Sequence, residues 1–90
     1  MPRIFKVNGY AVYFWSNENG EPIHVHVSKG KPSSNATKFW LLRNGEIELV
    51  HNKSKISKKD LKKISTTIKN NWDEIFSKWM EYFGSGKFYN

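Results

Sequence analysis

Ile23-His24-Val25-His26-Val27-Ser28 alternates strictly between aliphatic and polar side chains, and this alternation decides the class of fold. In an extended strand successive side chains point to opposite faces. Ile23, Val25 and Val27 therefore share one face, and His24 and His26 share the other. The stretch reads as a strand with a buried aliphatic face and two imidazoles side by side on its reverse.

Upstream, Ser16-Asn17-Glu18-Asn19-Gly20-Glu21-Pro22 is a dense run of turn formers. Before it, Ile4-Phe5-Lys6-Val7 and Tyr10-Ala11-Val12-Tyr13-Phe14-Trp15 flank Asn8-Gly9, a dipeptide that accepts positive φ in a two-residue hairpin turn. These two strands are expected to pair antiparallel. Downstream, Lys29 to Ala36 contains Gly30, Pro32, Ser33, Ser34 and Asn35 and reads as a flexible loop. Strands over Thr37–Leu42 and Glu46–Val50 then flank Arg43-Asn44-Gly45, a second Asn-Gly turn.

The period changes in the last third of the chain. Leu61, Ile64, Ile68, Trp72, Ile75, Trp79 and Tyr82 or Phe83 recur at steps of three and four, which is one face of a helix. Ser57-Lys58-Lys59-Asp60 fits a capping box, Ile56 is placed to staple onto Leu61, and Gly84 suits the left-handed residue after the last turn. The helix is expected over about 58–83, with a bend near Asn70-Asn71. A meander of strands followed by a helix with one apolar stripe predicts an α+β fold, a small antiparallel sheet of about four to five strands packed by one long C-terminal amphipathic helix. The expected organisation is a single domain over 1–90, strand-rich over 3–51, with a short tail over 84–90.

Ninety residues suit one modest core, and the four Trp, four Tyr and six Phe supply its bulk. No cysteine is present, which excludes disulfides and thiolate metal sites. Neither a leader's apolar region nor a membrane-spanning stretch is evident, so a cytoplasmic protein is expected, without membrane partners. The net charge is +7, unevenly placed: residues 1–50 carry six basic and four acidic side chains, whereas 53–69 carry seven lysines and only Asp60. Such a block either attracts polyanions, nucleic acid or an acidic protein, or is the solvated face of a helix.

Three chemistries suit the histidine pair, with some of Tyr13, Trp15, Phe39 and Trp40 at its border. In ribonuclease-like acid–base work, one imidazole takes the 2′-hydroxyl proton and the other assists the leaving oxygen, with Lys29, Lys31 or Arg43 neutralising the phosphate. Residues i and i+2 on a strand stand roughly 7 Å apart, which leaves that geometry unassured. In a metal site the two histidines supply two ligands and Glu18, Glu21 or His51 a third, although none lies at a diagnostic spacing. In recognition without catalysis, imidazoles and aromatics stack on single-stranded bases while lysines track phosphates. Against all three stands a structural role, in which His24 and His26 hydrogen-bond the Ser16–Pro22 loop and hold it against the sheet, with Glu18 and Glu21 as turn residues.

Several segments together resemble the DUF4160 family of small, uncharacterised bacterial proteins. They are Met1-Pro2-Arg3-Ile4, Tyr13-Phe14-Trp15, the run from Ser16-Asn17-Glu18 through Pro22-Ile23-His24-Val25-His26-Val27, Ala36-Thr37-Lys38-Phe39-Trp40-Leu41, and Trp79-Met80-Glu81-Tyr82-Phe83. The turn running into Pro-x-His-Val-His-Val is the most specific of them. The lysine-rich helix start and the tail from Ser85 to Asn90 depart from the family. The resemblance implies a small prokaryotic cytoplasmic protein, associated with toxin–antitoxin-like gene pairs and with a small partner protein encoded nearby. It assigns no catalytic residue.

The expectation is a basic, nucleic-acid-associated module, RNA rather than duplex DNA, since no helix-turn-helix pattern is present. It would be the toxin-like component of a two-protein system. Lys29, Lys31, Arg43, Lys58, Lys59, Lys62, Lys63 and Lys69 are the candidate phosphate contacts, Trp15 and Trp40 the candidate stacking platforms, and His24 and His26 the candidate catalytic pair. No metal or other cofactor is assigned. The alternatives are a metal-independent endoribonuclease, and a protein-interaction module that binds an acidic partner or itself through the open sheet face or the tail Lys87-Phe88-Tyr89.

Overall fold

The computed structural model describes residues 3–18 and 20–90; Met1 and Pro2 of the opening and Asn19 of the first long turn lie outside the described residues. Five strands, β1 (Arg3–Val7), β2 (Tyr10–Tyr13), β3 (His24–Lys29), β4 (Thr37–Leu41) and β5 (Ile47–Asn52), form one antiparallel sheet in chain order. Two helices follow, α1 (Lys58–Asn70) and α2 (Trp72–Phe83).

Both Asn-Gly turns behave as their chemistry requires. Asn8 and Gly9 have φ of 49° and 80°, and Asn44 and Gly45 have 66° and 79°, values that Asn and Gly tolerate best. β3 is the middle strand, pairing with β2 through Val12↔Val27 and Tyr13↔His26 and with β4 through Val25↔Phe39 and His24↔Trp40. It begins at His24, one residue later than the alternation suggests, but Ile23 still accepts from Leu41 N–H and donates to Lys87 O.

The expected single helix is two. Asn71 leaves helical geometry (φ −110°, ψ 20°), and its side-chain amide donates to Thr67 O at 2.8 Å, so a short polar side chain competes with the backbone ladder at the anticipated bend. At the start, Ser57 Oγ accepts from Asp60 N–H, but the Asp60 carboxylate turns to Tyr10 Oη instead of reaching back.

The apolar stripe of both helices, Ile64, Ile68, Ile75 and Trp79, packs with Val12, Phe14, Ile23, Val25, Val27, Phe39 and Leu41 in one core. Each fully buried aliphatic side chain there contributes about 1.5–3 kcal/mol. The reverse face of the sheet holds a smaller cluster of Ala11, Tyr13 and Ala36 with Trp15 beside it. Loops partly close that face: the Tyr13 hydroxyl bonds Ser28 Oγ at 2.7 Å and Ser33 O at 3.0 Å. The tail also folds back, with Phe88 stacked on Trp72 and Phe76, and Tyr89 on Trp40.

A meander sorts its connections to two ends. The β1–β2 turn, the β3–β4 loop and the β5–α1 connection meet at one end, where Gly30 N–H donates to Gly9 O and Ser54 Oγ donates to Val27 O and Asn35 O. The β2–β3 loop, the β4–β5 turn and the tail meet at the other, where Arg43 N–H donates to Asn90 Oδ1.

Candidate functional site

His24 and His26 lie on the face opposite Ile23, Val25 and Val27, as period-two alternation requires. The loop before β3 folds back over them and brings Glu18 into contact. Trp15 N–H donates to Glu18 Oε1 at 2.7 Å, which fixes the carboxylate, and His26 Nε2–H donates to Oε2 at 2.7 Å. His24 is wholly buried. Its Nδ1–H donates to Pro22 O at 2.7 Å, because a carbonyl can only accept. Nε2 of the same ring lies 3.0 Å from Glu18 Oε2, within ionic reach, yet off the line for a hydrogen bond and without any other partner.

Aromatic walls surround the cluster. Trp79 and Trp40 present T-shaped contacts to the His24 ring at 5.3 and 5.8 Å, and Tyr13 lies 5.6 Å from the His26 ring. Burial alone pushes the Glu18 carboxyl up, but the two imidazoles and the Trp15 N–H outweigh it and hold the group well below the usual carboxylate range. The two imidazole rings stand 4.9 Å apart at 86°, closer than the roughly 7 Å of parallel neighbours on a strand, because both lean toward one oxygen. Of the three third ligands left open by the sequence, the fold selects Glu18. Its carboxylate and one ring nitrogen of each histidine lie within 4.8 Å of one another. Glu21 pairs instead with Lys38 at 2.8 Å, and His51 sits on β5 opposite Lys38.

The histidines also hold the Ser16–Pro22 loop to the sheet through Glu18 and Pro22, which is the structural role open from the sequence. With no exposed surface, His24 is removed from contact with a bulky substrate. Trp40 is stacked on Tyr89 at 4.9 Å and lies under Lys38 Nζ, so its ring is engaged within the domain. Trp15 is half-buried with its edge against Tyr13. Tail residues Lys87, Phe88 and Tyr89 are likewise docked on their own domain.

The candidate phosphate contacts do not gather at the histidines. Arg43 lies over Phe88, and Lys69 pairs with Glu46 at 3.0 Å. Lys29, Lys31, Lys58, Lys59, Lys62 and Lys63 instead collect at the end of the sheet that carries the β1–β2 turn. Two further lysines join them, Lys53 and Lys55, whose signal in the sequence was the basic run beginning at residue 53. Lys29, Lys53 and Lys55 line a pocket of about 370 Å³ with Ser28, Ser33, Asn35 and Ser54. Lys59, Lys62 and Lys63 line a groove beside Val7 and Asn8. All eight are exposed, and none is ion-paired among the described residues.

Also among the described residues, no helix is long and apolar enough to cross a membrane. No curated protein and no solved structure matches the chain significantly. The model of a domain of unknown function, DUF4160, matches residues 9–80. That span takes in every strand but the first, α1, most of α2 and the whole Glu18–His24–His26 cluster, and the chain belongs to the DUF4160 family.

Proposed function

We propose that this domain is a cytoplasmic RNA-associated module that binds single-stranded RNA through its lysine-rich end, as the toxin-like component of a prokaryotic two-protein system. One observation carries the proposal: eight exposed lysines, none of them ion-paired among the described residues, converge from three segments on one end of the sheet, with Asp60 the only acid among those segments. Such a field raises the local concentration of a polyanion and neutralises phosphates at close range. The serine hydroxyls and Asn35 around Lys29, Lys53 and Lys55 add hydrogen-bond groups suited to phosphate oxygens. Duplex DNA is disfavoured because α1 and α2 are parted by the single residue Asn71, not by the turn of a helix-turn-helix.

Fluorescence anisotropy of an end-labelled single-stranded RNA tests the proposal. With about four phosphates neutralised, log affinity falls against log salt with a slope near −3. Reversing charge together at Lys53, Lys55 and Lys59 with Glu abolishes most of the binding, whereas Lys69→Glu, at the other end, leaves it nearly intact. Binding that ignores both salt and these substitutions excludes the lysine end.

The edge strand β5 favours a second reading, a protein partner. Leu49 and Val50 are large apolar side chains left exposed on it, next to the register shift between Lys38 and Phe39. A partner adding a strand to this edge would cover them. Copurification of one small protein without nucleic acid, lost on Val50→Lys, is the outcome that supports it.

A further inference from the structure

We propose that Glu18, His24 and His26 form a binding site for a divalent transition-metal ion of the zinc class. The site lies on the reverse face of the sheet and is independent of the lysine-rich end. Three observations converge on it.

The first is the unpartnered nitrogen. With Nδ1–H committed to Pro22 O, His24 Nε2 lies 3.0 Å from Glu18 Oε2 without a hydrogen-bond partner, in a fully buried position. A cation between the two atoms gives each of them a bond. The second is the outer support. A ligating imidazole characteristically donates its other N–H to a backbone carbonyl, and Pro22 O plays that part; Trp15 N–H on Oε1 holds the carboxylate in the same way. These bonds orient the donors before any ion arrives.

The third is spacing. Donors about 2.0–2.1 Å from a common ion stand roughly 3.0–3.4 Å from one another. His24 Nε2 and His26 Nε2 lie 3.0 and 2.7 Å from Glu18 Oε2, and the three donors lie within 4.8 Å of one another, so the ion fits once the two imidazoles draw together and His26 opens slightly from the carboxylate. Loading requires His26 to give up the Nε2 proton and carry one on Nδ1, a tautomer change only. Two nitrogens and one oxygen favour zinc, cobalt or iron over magnesium or calcium. The Glu18 and His26 side chains retain 10% and 13% exposure, so solvent reaches the cluster and water completes the coordination, the open arrangement of ion sites with three protein ligands.

The test uses the full chain, stripped with chelator and titrated calorimetrically with Zn(II), with Co(II) as an absorption probe. One equivalent is expected to bind. His26→Ala and Glu18→Gln are expected to weaken it at least about tenfold, with His51→Ala unchanged as a control. Should a variant fail to fold, imidazole ¹⁵N shifts of the wild-type chain decide the matter: Zn(II) must move His24 and His26 and leave His51 in place. Absence of binding, unaltered affinity in folded His26→Ala and Glu18→Gln, or shifts confined to His51 would overturn the site.

Discussion

His26 Nε2 and Glu18 Oε2, 2.7 Å apart, tie the middle strand of the sheet to the loop that precedes it. The same carboxylate faces His24 and accepts from Trp15 N–H, so one side chain serves three partners. Glu18→Ala strands all of them in a poorly hydrated site. A loss of about 2–4 kcal/mol is expected in urea denaturation of the chelator-treated chain, against a much smaller loss for Glu21→Ala on the same loop. Equal, small losses would show that the cluster does not hold the loop.

His51 is expected to titrate below the ordinary histidine value near 6.5. Burial lowers it first, and the positive neighbours Lys53, Lys38 and His26 lower it further. A base with a depressed folded value resists protonation in the native chain, so the unfolded chain binds the proton more readily. Stability that is intact above about pH 6.5 is therefore lost as pH falls through the folded value. NMR titration of the His51 ring checks the direction. His51→Gln removes this part of the acid sensitivity; an identical pH profile for the two chains would contradict it.

Ser57→Ala is expected to cost about 1 kcal/mol, because the hydroxyl satisfies the Asp60 N–H in the first turn of α1. Thermal or urea unfolding measures it. A neutral result would mean that water or a neighbouring group replaces the cap.

Removing residues 87–90 tests the tail. Phe88 stacks on Trp72 and Phe76, and Lys87 O accepts from Ile23 N–H beside the histidines. The truncated chain is expected to lose about 1–3 kcal/mol of stability and to expose Trp40, read as a shift in tryptophan fluorescence. Unchanged emission and stability would show the tail to be dispensable.

Local chemistry made the architecture legible. Asn8-Gly9 and Asn44-Gly45 encode their own turns, Ile23, Val25 and Val27 encode a face, and Ile64, Ile68, Ile75 and Trp79 encode a stripe. The break at Asn71 was readable only as a bend, since a side chain competing with the helix ladder is decided by local geometry, not by periodicity. The histidine face was legible for the same reason as the aliphatic one. What the sequence left open was the partner of the pair, because Glu18 reaches it through a loop whose path no spacing rule fixes. The separation of most candidate lysines from the histidines was equally hidden: α1 lies on one face of the sheet and the imidazoles lie on the other.

Amide shift mapping with a short single-stranded RNA decides whether the lysine-rich end is the binding surface. At low salt the shifts are expected to concentrate at residues 29–35 and 53–63, to vanish as salt rises, and to spare the β4–β5 turn and α2. Shifts centred on the β4–β5 turn or α2, or no shifts at any salt concentration, would exclude the lysine-rich end as the RNA-binding surface.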